Sequence, residues 1–103
     1  MNTSTVAPAT DLHAAQMIAA KYGCDLRLLI PGDPDEGSTD MWLIDLDVEH
    51  GDVQVEDDEG TWRVSVYASA DGVFPTPEAA RAFATAIIKA ATICDDLNAG
   101  KVL

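Results

Sequence analysis

The chain has 103 residues, 18 of them acidic and 6 basic, for a formal net charge of −12. That length suits one domain, and 48% apolar residues exclude a chain that is disordered throughout. No apolar run reaches the length of a membrane-crossing helix, and a cationic surface for phosphate or anionic lipid is missing, so direct nucleic-acid and membrane binding are not expected.

In chain order, residues 1–10 read as a flexible lead, residues 11–100 as one domain and residues 101–103 as a short tail. The lead has neither a basic start nor a continuous apolar stretch, so no secretory signal is expected and the expected compartment is the cytoplasm. Thr10 or Asp11 can cap a helix from Leu12, with Leu12, Ala15, Ile18, Ala19 and Tyr22 at helical spacing and Gly23 as its C-terminal glycine. A strand is predicted over 25–30, stopped by Pro31 and Gly32 and followed by a polar acidic loop.

A second strand is predicted over 41–49, where Trp42, Ile44, Leu46 and Val48 alternate with Leu43, Asp45, Asp47 and Glu49. With His50-Gly51 as a turn, Val48 would face Val53 and Leu46 would face Val55. With a four-residue loop from Asp57 to Gly60, Val55 would face Trp62 and Val53 would face Val64. Both registers match apolar with apolar on one face. Thr76, Pro77 and Glu78 start a last helix whose buried face is predicted as Phe83, Ala84, Ile87, Ile88, Ala91, Cys94 and Leu97. The fold class is α+β, in the order α-β-β-β-β-α. A four-stranded, largely antiparallel sheet carries both helices on one face and leaves the other bare.

Charge is concentrated rather than spread. Between Arg27 and Arg63 lie twelve carboxylates and no Lys or Arg. On the bare face Asp45, Asp47 and Glu49 would oppose Glu56, Gln54 and Asp52, and like charges facing each other destabilise a sheet. Asp45, Asp47, Glu49, Asp52 and Glu56 are therefore the candidate site for a basic protein partner, against the plainer reading of a solvated acidic face that keeps the chain soluble. Leu29, Met41, Leu43 and Tyr67 share that face as a candidate interface, with a homodimer as its simplest form.

Metal and catalytic chemistry find little support. Asp45, Asp47, Glu49 and Glu56 fit some positions of a calcium loop, but Gly51 is one place late, and two distant histidines make no zinc site. Cys24 and Cys94 have no cationic neighbours in sequence and read as buried thiols. No phosphate-binding glycine loop or nucleophile elbow occurs, and no cofactor is expected. An enzyme with an unrecognised acidic site stays behind a binding module and a structural homo-oligomer.

The segment WRVSVYASADGVFPTPEAARAFATAIIKAATICDDLN, a strand leading through TPEAAR into an alanine-rich helix, resembles small uncharacterised proteins of actinobacteria and their phages. Sixteen alanines and three lysines fit a GC-rich genome. The resemblance covers about the last third of the chain. It implies no catalytic residue, and it suggests an accessory or phage gene whose product modulates a host protein.

Overall fold

The computed structural model describes residues 12–58, 61–69 and 71–99. The expected lead, tail and Thr10 or Asp11 cap lie outside these residues. Helix α1 (Leu12–Lys21) buries Ala15, Ile18 and Ala19, the spacing that sets one stripe inward. It ends as its glycine requires. Gly23 takes φ 74°, its N–H donates to Ala20 O at 3.0 Å, and Cys24 N–H donates to Ala19 O at 2.9 Å. This paired closure satisfies carbonyls that the helix end would otherwise leave open.

Four strands follow: β1 (Leu26–Ile30), β2 (Met41–Leu46), β3 (Gly51–Asp58) and β4 (Thr61–Ala68). They form one sheet in the order β1-β2-β3-β4, with every neighbouring pair antiparallel. A single turn of 3-10 helix (Pro34–Glu36) lies in the β1–β2 loop. Helix α2 (Pro77–Ala99) is the last element of the described residues. Thr76 caps it as expected, its Oγ1 accepting from Ala79 N–H at 3.1 Å. Both helices contribute to one core, where Ala15 and Ile18 of α1 and Phe83, Ala90 and Ile93 of α2 pack with Ile44, Val55 and Trp62 of the sheet. The predicted α+β order and the two helices on one face are therefore present.

The registers differ from those predicted, each by two residues. Leu46 faces Val53 and Ile44 faces Val55, while Val55 faces Val64 and Asp57 faces Trp62. A slip of two preserves the face of every side chain but changes every partner. Gly51 supplies the physical reason in the first hairpin. It pairs with Ala68 inside the sheet, and a Cβ there would meet Tyr67 O and come within 2.8 Å of the Phe83 ring. A position this tightly packed belongs to the strand, so the turn moves back to residues 47–50, where His50 takes φ 65°. In the second hairpin the ladder runs on to Asp58 and Thr61. The tip of the expected loop, residues 59 and 60, lies outside the described residues.

The buried stripe of α2 also differs. Phe83, Ala90, Ile93, Asp96 and Leu97 are buried, with Ala86, Ile87 and Cys94 packed at its margin. Ile88 is 68% exposed, and Ala84 and Ala91 are exposed too. Over 23 residues the 3.6-residue period carries the stripe through positions 86, 90 and 93, away from 84, 88 and 91.

Candidate functional site

The face opposite the helices is built from Arg27 and Ile30 of β1, Met41, Leu43 and Asp45 of β2, Asp52, Gln54 and Glu56 of β3, and Arg63, Ser65 and Tyr67 of β4. Strand alternation puts them there. Across the centre runs the row Arg27, Leu43, Glu56, Arg63, one residue from each strand. The next row sets Asp45 against Gln54 and Gln54 against Ser65, and the last sets Asp52 against Tyr67.

This arrangement corrects the expected opposition of carboxylates. Asp45 faces Gln54, not Glu56, and its carboxylate lies 3.5 Å from the Arg27 guanidinium. Glu56 faces Leu43 and Arg63, and Arg63 Nε donates to Glu56 Oε1 at 3.0 Å. Asp47 and Glu49 leave the sheet altogether, because β2 ends at Leu46. The two arginines flanking the acidic segment in sequence thus fold onto that segment's own strands. The repulsion expected between Asp45 and Glu56, and between Glu49 and Asp52, has no counterpart in the observed register.

The surplus negative charge sits elsewhere. Asp47, Glu49 and Asp52 gather at and beside the β2–β3 connection, and Asp33, Asp35, Glu36 and Asp40 line the β1–β2 loop. Among the described residues none of these seven has a Lys or Arg within 4.0 Å. Hydrogen bonds within the loop hold its shape. Gly32 N–H donates to Asp40 Oδ1 and Asp33 N–H to Ser38 Oγ, each at 2.7 Å, and Asp35 N–H donates to Asp33 Oδ1 at 3.0 Å. Beyond β4, Asp71 accepts from Val73 N–H at 3.2 Å and from Ser69 Oγ at 3.1 Å. The Val73 bond foremost, then the Ser69 bond, holds the Asp71 carboxyl below its usual range.

The expected apolar set divides. Tyr67 is 74% exposed and Leu29 is 41% exposed, Met41 is half-buried opposite Ile30, and Leu43 is completely buried. Leu43 therefore offers no surface to a partner, which corrects its place in the candidate interface. Leu29 stands at a bulge, since β1 pairs Leu28 with Trp42 and then Ile30 with Met41.

A cleft of about 410 Å³ opens where β1 begins, β2 ends and α2 passes, lined by residues that include Cys24, Asp25, Arg27, Asp45, Asp47 and Lys89. Its carboxylates and cations are mixed, and Asp45 is already tied to Arg27. Among the described residues no three His, Cys, Asp or Glu side chains converge to hold a metal ion. Both cysteines are free and half-buried. Burial, with Asp95 adding to it, pushes the Cys94 thiol up, so its reactive thiolate is disfavoured.

Two polar anchors escaped the sequence reading. Buried Asp96 of α2 accepts from Tyr22 Oη at 2.5 Å and lies 3.7 Å from Lys21 Nζ, tying the end of α1 to α2. Asn98 grips the backbone of Trp62 from both sides, its Oδ1 accepting from Trp62 N–H and its Nδ2 donating to Trp62 O, each at 2.9 Å. Nothing in local sequence signals either contact, because each spans more than thirty residues.

No protein-family model, curated protein or solved structure matches the chain. Among the described residues no helix is long and apolar enough to cross a membrane.

Proposed function

We propose that the chain is a small interaction module that binds a protein partner with a basic surface. One observation carries this reading. Lys21, Arg27, Arg63 and Arg81 each lie within 4.0 Å of a carboxylate, so the described arginines are all engaged while the acidic loops keep their surplus. A surface of unneutralised carboxylates on loops with fixed backbones attracts cationic partners and repels nucleic acid. Asp47, Glu49 and Asp52 lead the acidic contribution. Asp45 and Glu56 frame it with ion pairs that fix Arg27 and Arg63 in place. The resemblance of residues 62–98 to actinobacterial and phage proteins would make the partner a cytoplasmic host protein and the module its modulator.

Retention from a host lysate, compared between the native chain and an Asp47→Asn, Glu49→Gln, Asp52→Asn variant at about 0.15 M salt and at 1 M, tests the reading. The expected result is a discrete set of basic proteins held by the native chain, lost from the variant and released by the higher salt. Equal retention by both chains counts against it. A second reading, a structural homo-oligomer, is favoured by the exposure of two apolar side chains of the sheet, Leu29 at 41% and Tyr67 at 74%. A self-complex with no retained protein supports that alternative.

A further inference from the structure

The two edges of the sheet are treated differently. The β4 edge is occupied at Trp62, whose N–H and C=O are both taken by the Asn98 amide, with Cys94 Sγ also donating to Trp62 O at 3.0 Å. The β1 edge is open. Leu26–Ile30 pairs with β2 on one side, and among the described residues no group outside β2 hydrogen-bonds its backbone. Such a row of unpaired N–H and C=O groups is a template for another strand.

Side chains on this edge are apolar on both faces. Leu28 pairs with Trp42 on the helix side and Ile30 with Met41 on the open side, and Leu28, the bulged Leu29 and Ile30 are 41%, 41% and 54% exposed. Both ends of the strand are acidic. Asp25 precedes it, and Asp33, Asp35 and Glu36 follow in a loop pinned by the Asp33, Ser38 and Asp40 hydrogen bonds.

From this juxtaposition we infer that the partner adds a strand to β1, through an extended segment with an apolar centre and Lys or Arg at each end. The inference rests on the basic-partner reading and gives it a place and a binding mode. Main-chain hydrogen bonds supply the pairing, and alternate side chains meet Leu28 on one face and Ile30 on the other. The terminal cations meet Asp25 at one end and the acidic loop at the other. A second copy of the chain fits worse. It would bring another net charge of −12, and an antiparallel β1–β1 pairing would set the acidic loop of each copy beside Asp25 of the other. The bulge at Leu29 bends the edge, which limits indiscriminate pairing to segments that follow the bend.

The test uses the full chain and three synthetic nonapeptides. The probe has a central Val-Thr-Val-Thr-Val flanked by two Lys at each end. The other two carry the same side chains with N-methyl groups on one or the other alternating set of central backbone nitrogens. Binding is read by calorimetry, and protection of amides by hydrogen exchange. The expected result is binding of the probe with slowed exchange within residues 26–30, and a loss of about tenfold or more in affinity for one methylated peptide. Equal binding of all three peptides overturns strand addition while leaving the basic-partner reading standing, since charge alone would then carry the contact. Failure of the probe to bind overturns the inference, and the lysate comparison then decides the broader reading on its own. A concentration-dependent dimer that protects residues 26–30 without peptide overturns it in favour of a second copy.

Discussion

Asn98 does for β4 what a fifth strand would do, with one side chain. Its amide presents a donor and an acceptor in the geometry of a neighbouring backbone, and Trp62 is 1% exposed beneath it. Removing it takes the Asn98 contacts from a buried N–H and a buried C=O, the latter keeping its bond from Cys94 Sγ, and losing a partner at a buried group costs more than a hydrogen bond gains. Asn98→Ala is expected to cost about 1–3 kcal/mol in chemical denaturation, and Asn98→Asp to cost a similar amount by losing the donor. An unchanged midpoint for either variant would mean that water serves Trp62 equally well. Tyr22 is the second residue-scale anchor. Its hydroxyl donates to Asp96, and that bond, then burial, then the Asp96 charge raise its pKa above the ordinary value near 10. A raised folded pKa means that this contribution is whole below the unfolded value and is lost as pH rises through the folded one. The native chain should therefore lose stability on alkaline titration over that window, and Tyr22→Phe should start lower at neutral pH but decline less there. Parallel alkaline branches in melting curves of the two proteins would refute the coupling.

At the scale of elements, alternation and capping were readable, and register was not. Trp42, Ile44 and Leu46 announce their face by period two, Gly23 announces the end of α1, and Thr76 the start of α2. These are local signals, carried within one strand or one helical turn. Register depends on where a turn closes, and two closures that differ by two residues put the same apolar side chains on the same face. Hydrophobic matching alone could not separate them. What separates them is Gly51, where Tyr67 O and the Phe83 ring leave no room for a Cβ, a contact between segments distant in sequence. The same two residues of register decide the candidate site, since they separate a clash of Asp45 with Glu56 from the observed pairs of Asp45 with Arg27 and Glu56 with Arg63. The charge run that holds Asp47, Glu49 and Asp52 is legible in the sequence, whereas the place of these three at the end of the sheet is not. Gly51→Ala combines overpacking with a φ of 151°, and is expected to cost about 2–4 kcal/mol. A denaturant midpoint within experimental error of the native chain would show that the hairpin closes elsewhere.

For the whole molecule the question is whether charge favours or opposes the fold. Four described ion pairs are at least partly exposed, and such pairs contribute about 0–1 kcal/mol each. Against them stands a net charge of −12, concentrated between Arg27 and Arg63 and screened only beyond about 10 Å at 0.1 M salt. Salt weakens both effects, but repulsion is summed over many carboxylates while each described pair contributes little, so the repulsion is the larger of the two. Raising salt from about 0.02 M to 0.3 M, which shortens the screening length severalfold, should therefore raise the melting temperature. The acidic positions should also separate by environment. Asp47→Asn with Glu49→Gln removes charge that has no described cation partner and should raise the melting temperature by a few degrees, since about 1 kcal/mol corresponds to roughly 4–8 °C in a domain of this size. Asp45→Asn removes the partner of Arg27 and should leave it level or lower. The salt-induced gain should shrink in the double variant, because part of the repulsion being screened is gone. If Asp45→Asn stabilised as much as the double variant, the Arg27 pair would contribute nothing and the acidic face would act as one undivided field. If the double variant melted lower, Asp47 and Glu49 would have stabilising roles in the connection that their charge alone does not explain.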